Sequence, residues 1–122
     1  MTSKVRILCV DDEAAIRSLL KSQLEQEGYD VDLAEDGDVA IEKLGKTAFD
    51  VVLLDIRMPN VGGIDVLRHI RESGVKSRVI MLTAVDDLTI AMESVRLGAG
   101  DYLTKPFDTE DLFNAIRRVS AT

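Results

Sequence analysis

Three short stretches of the chain are apolar almost without interruption: Val5-Arg6-Ile7-Leu8-Cys9-Val10, Val51-Val52-Leu53-Leu54 and Val79-Ile80-Met81-Leu82. Runs of this length, rich in β-branched residues, suit strands covered on both faces, as in a parallel sheet packed between helices. Two further stretches are weaker. Val31-Asp32-Leu33 alternates, and Tyr102-Leu103-Thr104 is short and mixed, so both read as edge strands. Between the strands the apolar spacing becomes helical. Ile16, Leu19, Leu20 and Leu24 share one face and end near Gly28, while Leu88, Ala91, Met92 and Val95 share another and stop at Gly98. Leu112, Ala115, Ile116 and Val119 mark the last helix. Val39, Ala40, Ile41 and Leu44 mark a second helix closed by Gly45, and Ile64, Leu67 and Ile70 a third, opened by Gly62-Gly63 and closed by Gly74.

The order is strand then helix throughout, (βα)5, with no linker, low-complexity tract or repeat. Right-handed crossovers between parallel strands put helices on both faces, which predicts a doubly wound α/β sandwich. A (β/α)8 barrel needs about 250 residues, and the chain has 122, enough for one domain spanning residues 1–122. Hydrophobic residues at 46% and charged residues at 30% exclude a disordered chain. Acids exceed bases by 22 to 15, for a net charge of −7, which argues against direct nucleic-acid binding. The single Cys excludes an intrachain disulfide and a multi-cysteine zinc site, and it fits a reducing compartment. No apolar run approaches the ~20 residues needed to span a membrane. The N-terminal run is short and broken by Arg6, unlike a signal peptide. A cytoplasmic domain is the expectation.

Open sheets of this kind bind ligands outside the carboxyl ends of their strands. Strand one is followed there by Asp11-Asp12-Glu13, strand three by Asp55, strand four by Thr83-Ala84 and strand five by Thr104-Lys105-Pro106. Asp11 and Asp12 can equally be first-turn helix residues favoured by the dipole. Asp55 is harder to dismiss, because it ends an apolar run before a Pro59/Gly62-Gly63 loop. Two like charges ~4 Å apart repel by ~4 kcal/mol at an effective dielectric of 20. Converging carboxylates therefore call for a cation or for protons, and an all-oxygen donor set suits Mg²⁺ or Mn²⁺ rather than zinc. A carboxylate beside such an ion, faced by Thr83 and Lys105, can attack a phosphoryl donor and become an aspartyl phosphate.

These residues resemble the receiver domain of two-component response regulators. The resemblance runs from about Val5 to Val119 and rests on Asp11-Asp12-Glu13, Leu54-Asp55-Ile56-Arg57-Met58-Pro59 with Gly62-Gly63, Leu82-Thr83-Ala84, and Gly98 through Phe107. It implies a flavodoxin-like strand order of 2-1-3-4-5, with Asp55 taking phosphate from a phosphohistidine of a sensor histidine kinase or phosphotransfer protein. It also implies Mg²⁺ held by Asp12 and Asp55, by Asp11 through water and by the backbone carbonyl of Arg57. Lys105 would contact the phosphoryl group, Lys105–Pro106 would be a cis peptide, and Thr83 with Tyr102 would form the switch pair. That pair would report to the face of helix four, strand five and helix five, where an output partner or a second protomer docks. Such a domain catalyses only its own phosphorylation and slow autodephosphorylation, and is not otherwise an enzyme.

Other readings fit less well. A haloacid-dehalogenase-type phosphatase carries Asp-x-Asp after strand one, where Asp11-Asp12-Glu13 breaks the spacing. A flavodoxin-like electron carrier would need a phosphate-cradling loop there, and carboxylates would repel the flavin phosphate. A degenerate receiver would not keep Asp55, Thr83 and Lys105. Cys9 reads as a buried apolar residue, His69 as a surface residue between arginines, and Asp108-Thr109-Glu110-Asp111 as the cap and first turn of helix five.

Overall fold

Each of the apolar runs forms a strand of one parallel sheet. The computed structural model describes residues 4–120, the Val85 side chain excepted. Its strands are β1 (Arg6–Val10), β2 (Asp30–Ala34), β3 (Val51–Asp55), β4 (Arg78–Ala84) and β5 (Asp101–Lys105). They pair in parallel in the order β2-β1-β3-β4-β5. The helices are α1 (Ala14–Gln26), α2 (Gly37–Lys46), α3 (Gly63–Ser73), α4 (Leu88–Arg96) and α5 (Thr109–Ser120), and a 3₁₀ turn at Val85–Asp87 leads into α4. The continuous runs are the inner strands and the alternating or mixed ones are the edges, because only an inner strand has both faces covered.

Alternation along the inner strands feeds two cores. Leu8 and Val10 with Val52 and Leu54 pack under α2, α3 and α4, which contribute Ala40, Leu67 and Ala91 among others. Ile7 and Cys9 with Val51 and Leu53 pack under α1 and α5, which contribute Leu24 and Ile116. Four consecutive residues of β3, Val51 to Leu54, have no exposed surface at all. The strand that ends in Asp55 is thus held by both layers.

Gly28, Gly74 and Gly98 have φ of +90°, +75° and +107°, so α1, α3 and α4 end at left-handed residues where glycine was expected. Two expectations are corrected. Helix α2 does not stop at Gly45; it continues to Lys46, which pairs with Glu42 at 3.0 Å one turn back, and Thr47 turns out in an extended conformation. The apolar stripe of α4 meets the core only through Ala91. Ala91 and Ser94 make the contact with the sheet, while Leu88, Ile90, Met92 and Val95 stand 39%, 38%, 62% and 42% exposed. The small side chains let the helix lie close to the sheet, and the large ones are left on its outer side.

Candidate functional site

Where the inner strands end, they deliver polar side chains to one rim. Asp11 follows β1, its amide still bonded to the Ala34 carbonyl at 3.2 Å. Its carboxylate is fully buried and accepts from the Glu13 amide at 2.9 Å and the Lys105 ammonium at 2.7 Å. Its carbonyl accepts from the Arg17 guanidinium at 2.7 Å. Asp55 is the last residue of β3, with Thr83 and Ala84 closing β4 and Lys105 closing β5. The sequence reading put these residues just past the strands; the ladders carry one or two residues further. Lys105 Nζ lies 3.6 Å from the Asp55 carboxylate, and the Lys105–Pro106 peptide is cis.

Local packing fixes Asp55. The Gly63 amide donates to the Ile56 carbonyl at 3.0 Å, which draws the start of α3 against the end of β3. A Cβ at position 63 would lie 2.2 Å from the Asp55 carbonyl oxygen, so only glycine fits this approach. The Asp65 carboxylate accepts from the Gly62 amide at 3.2 Å and closes the turn.

Carboxylate oxygens of Asp11, Asp12 and Asp55 all come within 4.8 Å of one another, Asp12 exposed and the other two buried. The electrostatic consequence falls on Asp55. Burial first, and the Asp11 charge second, push its carboxyl up to about 6 against the opposing pull of Lys105. Burial works to lower the Lys105 ammonium, but the Asp11 hydrogen bond and the charges of Asp55 and Asp11 carry it above its ordinary value. The donor set is all carboxylate oxygen, hard and anionic, and a divalent cation would relieve the repulsion that raises Asp55. The residues present therefore fit Mg²⁺ or Mn²⁺.

The cleft over these groups encloses about 370 Å³ and is lined by Asp12, Glu13, Asp55, Arg57, Ala84, Asp87 and Lys105. Thr83 is buried beside it, its hydroxyl donating to the Ala84 carbonyl at 3.1 Å. Tyr102, where the mixed run read from the sequence begins, lies one residue inside the observed strand. It is the second residue of β5, level with Met81, whereas Thr83 is level with Thr104. Tyr102 is half-buried and packs against the core under α2, α3 and α4, on the same side of the sheet as Met81.

Asp87 was missed in the sequence, where Asp86-Asp87 passes for the acidic first turn of a helix. Its carboxylate takes both ends of the Arg57 guanidinium, with Nε at 2.6 Å from Oδ2 and Nη2 on Oδ1. That bond holds the carboxyl below the usual carboxylate range. Outside the cleft, Cys9 is buried, and burial followed by the Asp11 charge pushes its thiol up to about 12, so it stays protonated and apolar. His69 is half-buried on α3. Asp108 caps α5 by accepting from the Asp111 amide at 2.8 Å, as expected.

Residues 7–117 match the family described as response regulator receiver domain. The chain is 44% identical over 115 residues to the transcriptional regulatory protein TrcR of Mycobacterium tuberculosis, covering 94% of this chain and 45% of that protein. It is 42% identical over 125 residues to the transcriptional regulatory protein ResD of Bacillus subtilis, covering 99% and 52%. It spans about half the length of these relatives. Among solved structures it is similar to the chemotaxis protein CheY4 of Vibrio cholerae, with a TM-score of 0.89, 32% identity and coverage of 96% and 99%. It is also similar to the receiver domain of NtrX from Brucella abortus, with a TM-score of 0.91, 31% identity and coverage of 95% and 98%.

Proposed function

The chain belongs to the response regulator receiver domain family, and we propose that Asp55 is its phosphoacceptor, charged by a phosphohistidine on a sensor kinase or phosphotransfer protein. The observation that carries this is the position of Lys105 Nζ, 2.7 Å from Asp11 and 3.6 Å from Asp55, at the mouth of a cleft walled by carboxylates.

A carboxylate oxygen of Asp55 attacks phosphorus. The new P–O bond forms as the P–N bond to the donor imidazole breaks, and the electron pair returns to that nitrogen. Held by Asp12, Asp55, the Arg57 carbonyl and, through water, Asp11, Mg²⁺ would supply positive charge against the phosphoryl oxygens. Lys105 supplies the same charge from the protein side and orients the Asp11 carboxylate through their hydrogen bond. Thr83 has its hydroxyl on the Ala84 carbonyl, and it can re-aim that donor to a phosphoryl oxygen. Its movement opens space on the face of the sheet it shares with Tyr102, which makes the two a switch pair directed at α4, β5 and α5. That surface would serve an output partner or a second protomer. Relatives named as transcriptional regulators favour control of transcription as the output.

Incubation with Mg²⁺ and acetyl phosphate, followed by intact mass, tests the assignment. One phosphoryl adduct is expected on the unmodified chain and none on Asp55→Asn. An adduct that survives the substitution refutes it.

A further inference from the structure

The Arg57–Asp87 ion pair takes no part in the phosphoryl chemistry proposed for Asp55. Arg57 stands two residues after Asp55 in the β3–α3 loop, and Asp87 stands 30 residues further on, at the N-cap of α4. An aspartate at that position ordinarily accepts from its own helix's second or third amide. Here it makes no such bond, and the carboxylate reaches across to Arg57 instead. The pair is lopsided: the Arg57 side chain is 69% exposed, while that of Asp87 is 2% exposed. A buried carboxylate with one partner depends on that partner, whereas the arginine has solvent on its other side.

What the pair holds is a lightly seated helix. α4 presses only Ala91 and Ser94 into the core and leaves its large apolar side chains outside. What could unmake the pair is close by, since Arg57 and Asp87 line the same cleft as Asp55. A phosphoryl group on Asp55 would offer the guanidinium a second anion with the oxygen geometry that arginine's fork prefers.

We propose that Arg57–Asp87 is a latch that positions the first turn of α4 in the unmodified domain. Negative charge gained at Asp55 draws Arg57 off, and the freed Asp87 turns inward to cap α4. The release step rests on the reading of Asp55 as phosphoacceptor; the tie itself does not. Arg57 and Asp87 are positioning residues in this scheme, acting through α4.

Asp87→Asn separates a latch from a plain cap, because asparagine caps helices as well as aspartate but cannot hold a guanidinium as an ion pair. In metal-free protein, Asp87→Asn should exchange the intrahelical amides of α4, residues 92–96, about tenfold faster, because the helix has lost its tie to the β3–α3 loop. Its α4 amide NMR shifts should move toward those of the unmodified chain with Mg²⁺ and beryllofluoride. Arg57→Lys, which keeps the charge and loses the fork, should move them part of the way along the same line. Exchange and shifts equal to those of the unmodified chain would overturn the latch. So would a beryllofluoride response across α4 as large in Asp87→Asn as in the unmodified chain. If beryllofluoride moves nothing around Asp55 in the unmodified chain, the phosphoacceptor reading and the release step fall together, and the exchange measurement still decides the tie.

Discussion

Removing the charge of Asp55 should make the metal-free domain more stable. Asp55→Asn keeps the shape of the side chain and deletes the charge that burial and Asp11 oppose. The carboxyl is raised from 3.8 to about 6. A carboxyl whose pKa is higher in the folded state binds more protons there than in the unfolded chain across that interval. The unfolding free energy therefore falls as pH rises from about 4 to about 6 and then levels off. A rise of about two in pKa, at about 1.4 kcal/mol each, amounts to about 3 kcal/mol. The asparagine variant escapes that loss, so near pH 8 it should be the more stable protein by about 3 kcal/mol, or about 10 °C in Tm for a domain of this size. The gap should close toward pH 4, where the unmodified carboxyl is protonated. Urea unfolding followed by circular dichroism, in EDTA and at a series of pH values, reads this directly. Asp12→Asn should move the same way by less, because Asp12 is exposed. Equal stability of Asp55→Asn and the unmodified chain at every pH, or a gap that widens toward acid, would show that the carboxylates do not burden one another as the geometry requires.

Three further outcomes follow from the same contacts. Gly63→Ala should destabilise the fold by more than about 2 kcal/mol, since the new methyl meets the Asp55 backbone rather than a flexible side chain; a chemical melt checks it. Lys105→Met should cost about 3 kcal/mol in metal-free protein by stripping the buried Asp11 carboxylate of its ammonium partner, and the same melt measures it. Mg²⁺ should stabilise the unmodified chain by about 2.7 kcal/mol at a hundred times its dissociation constant, and Asp12→Asn should need more Mg²⁺ for the same rise in Tm at constant ionic strength.

The architecture was legible because burial on both faces writes itself into the inner strands. Val51 to Leu54 admits no polar residue until Asp55, so the chain marks both the strand and the point where its chemistry begins. Asp11, Asp55 and Thr83 were legible for the same reason, each being the first polar group after an apolar run. What could not be read is what depends on packing between distant segments. The stripe Leu88, Ala91, Met92, Val95 has helical spacing, yet α4 turns its small residues inward, because contact with the sheet is decided by the room available. Gly45 resembles a helix stop, but α2 runs one residue past it to Lys46. Asp87 looks like an ordinary helix-start acid, and its partner is fixed only when the β3–α3 loop and the start of α4 come side by side. The mixed run Tyr102-Leu103-Thr104 is too short to show that β5 begins at Asp101.

The Lys105–Asp11 contact joins positions 94 residues apart. On the ribosome, β1 and β3 emerge early, and Asp55 can stand beside Asp11 while β5 is still unmade. The ammonium that completes the rim belongs to an edge strand and is made after the carboxylates it faces. A nascent chain thus presents its carboxylates before it presents their counter-charge, and the rim is complete only once the chain has been made through Lys105. A single backbone cut anywhere between Asp11 and Lys105 puts the two in different fragments, held together only by the packing of the sheet. The completed rim is therefore a report on the integrity of the chain from Asp11 to Lys105.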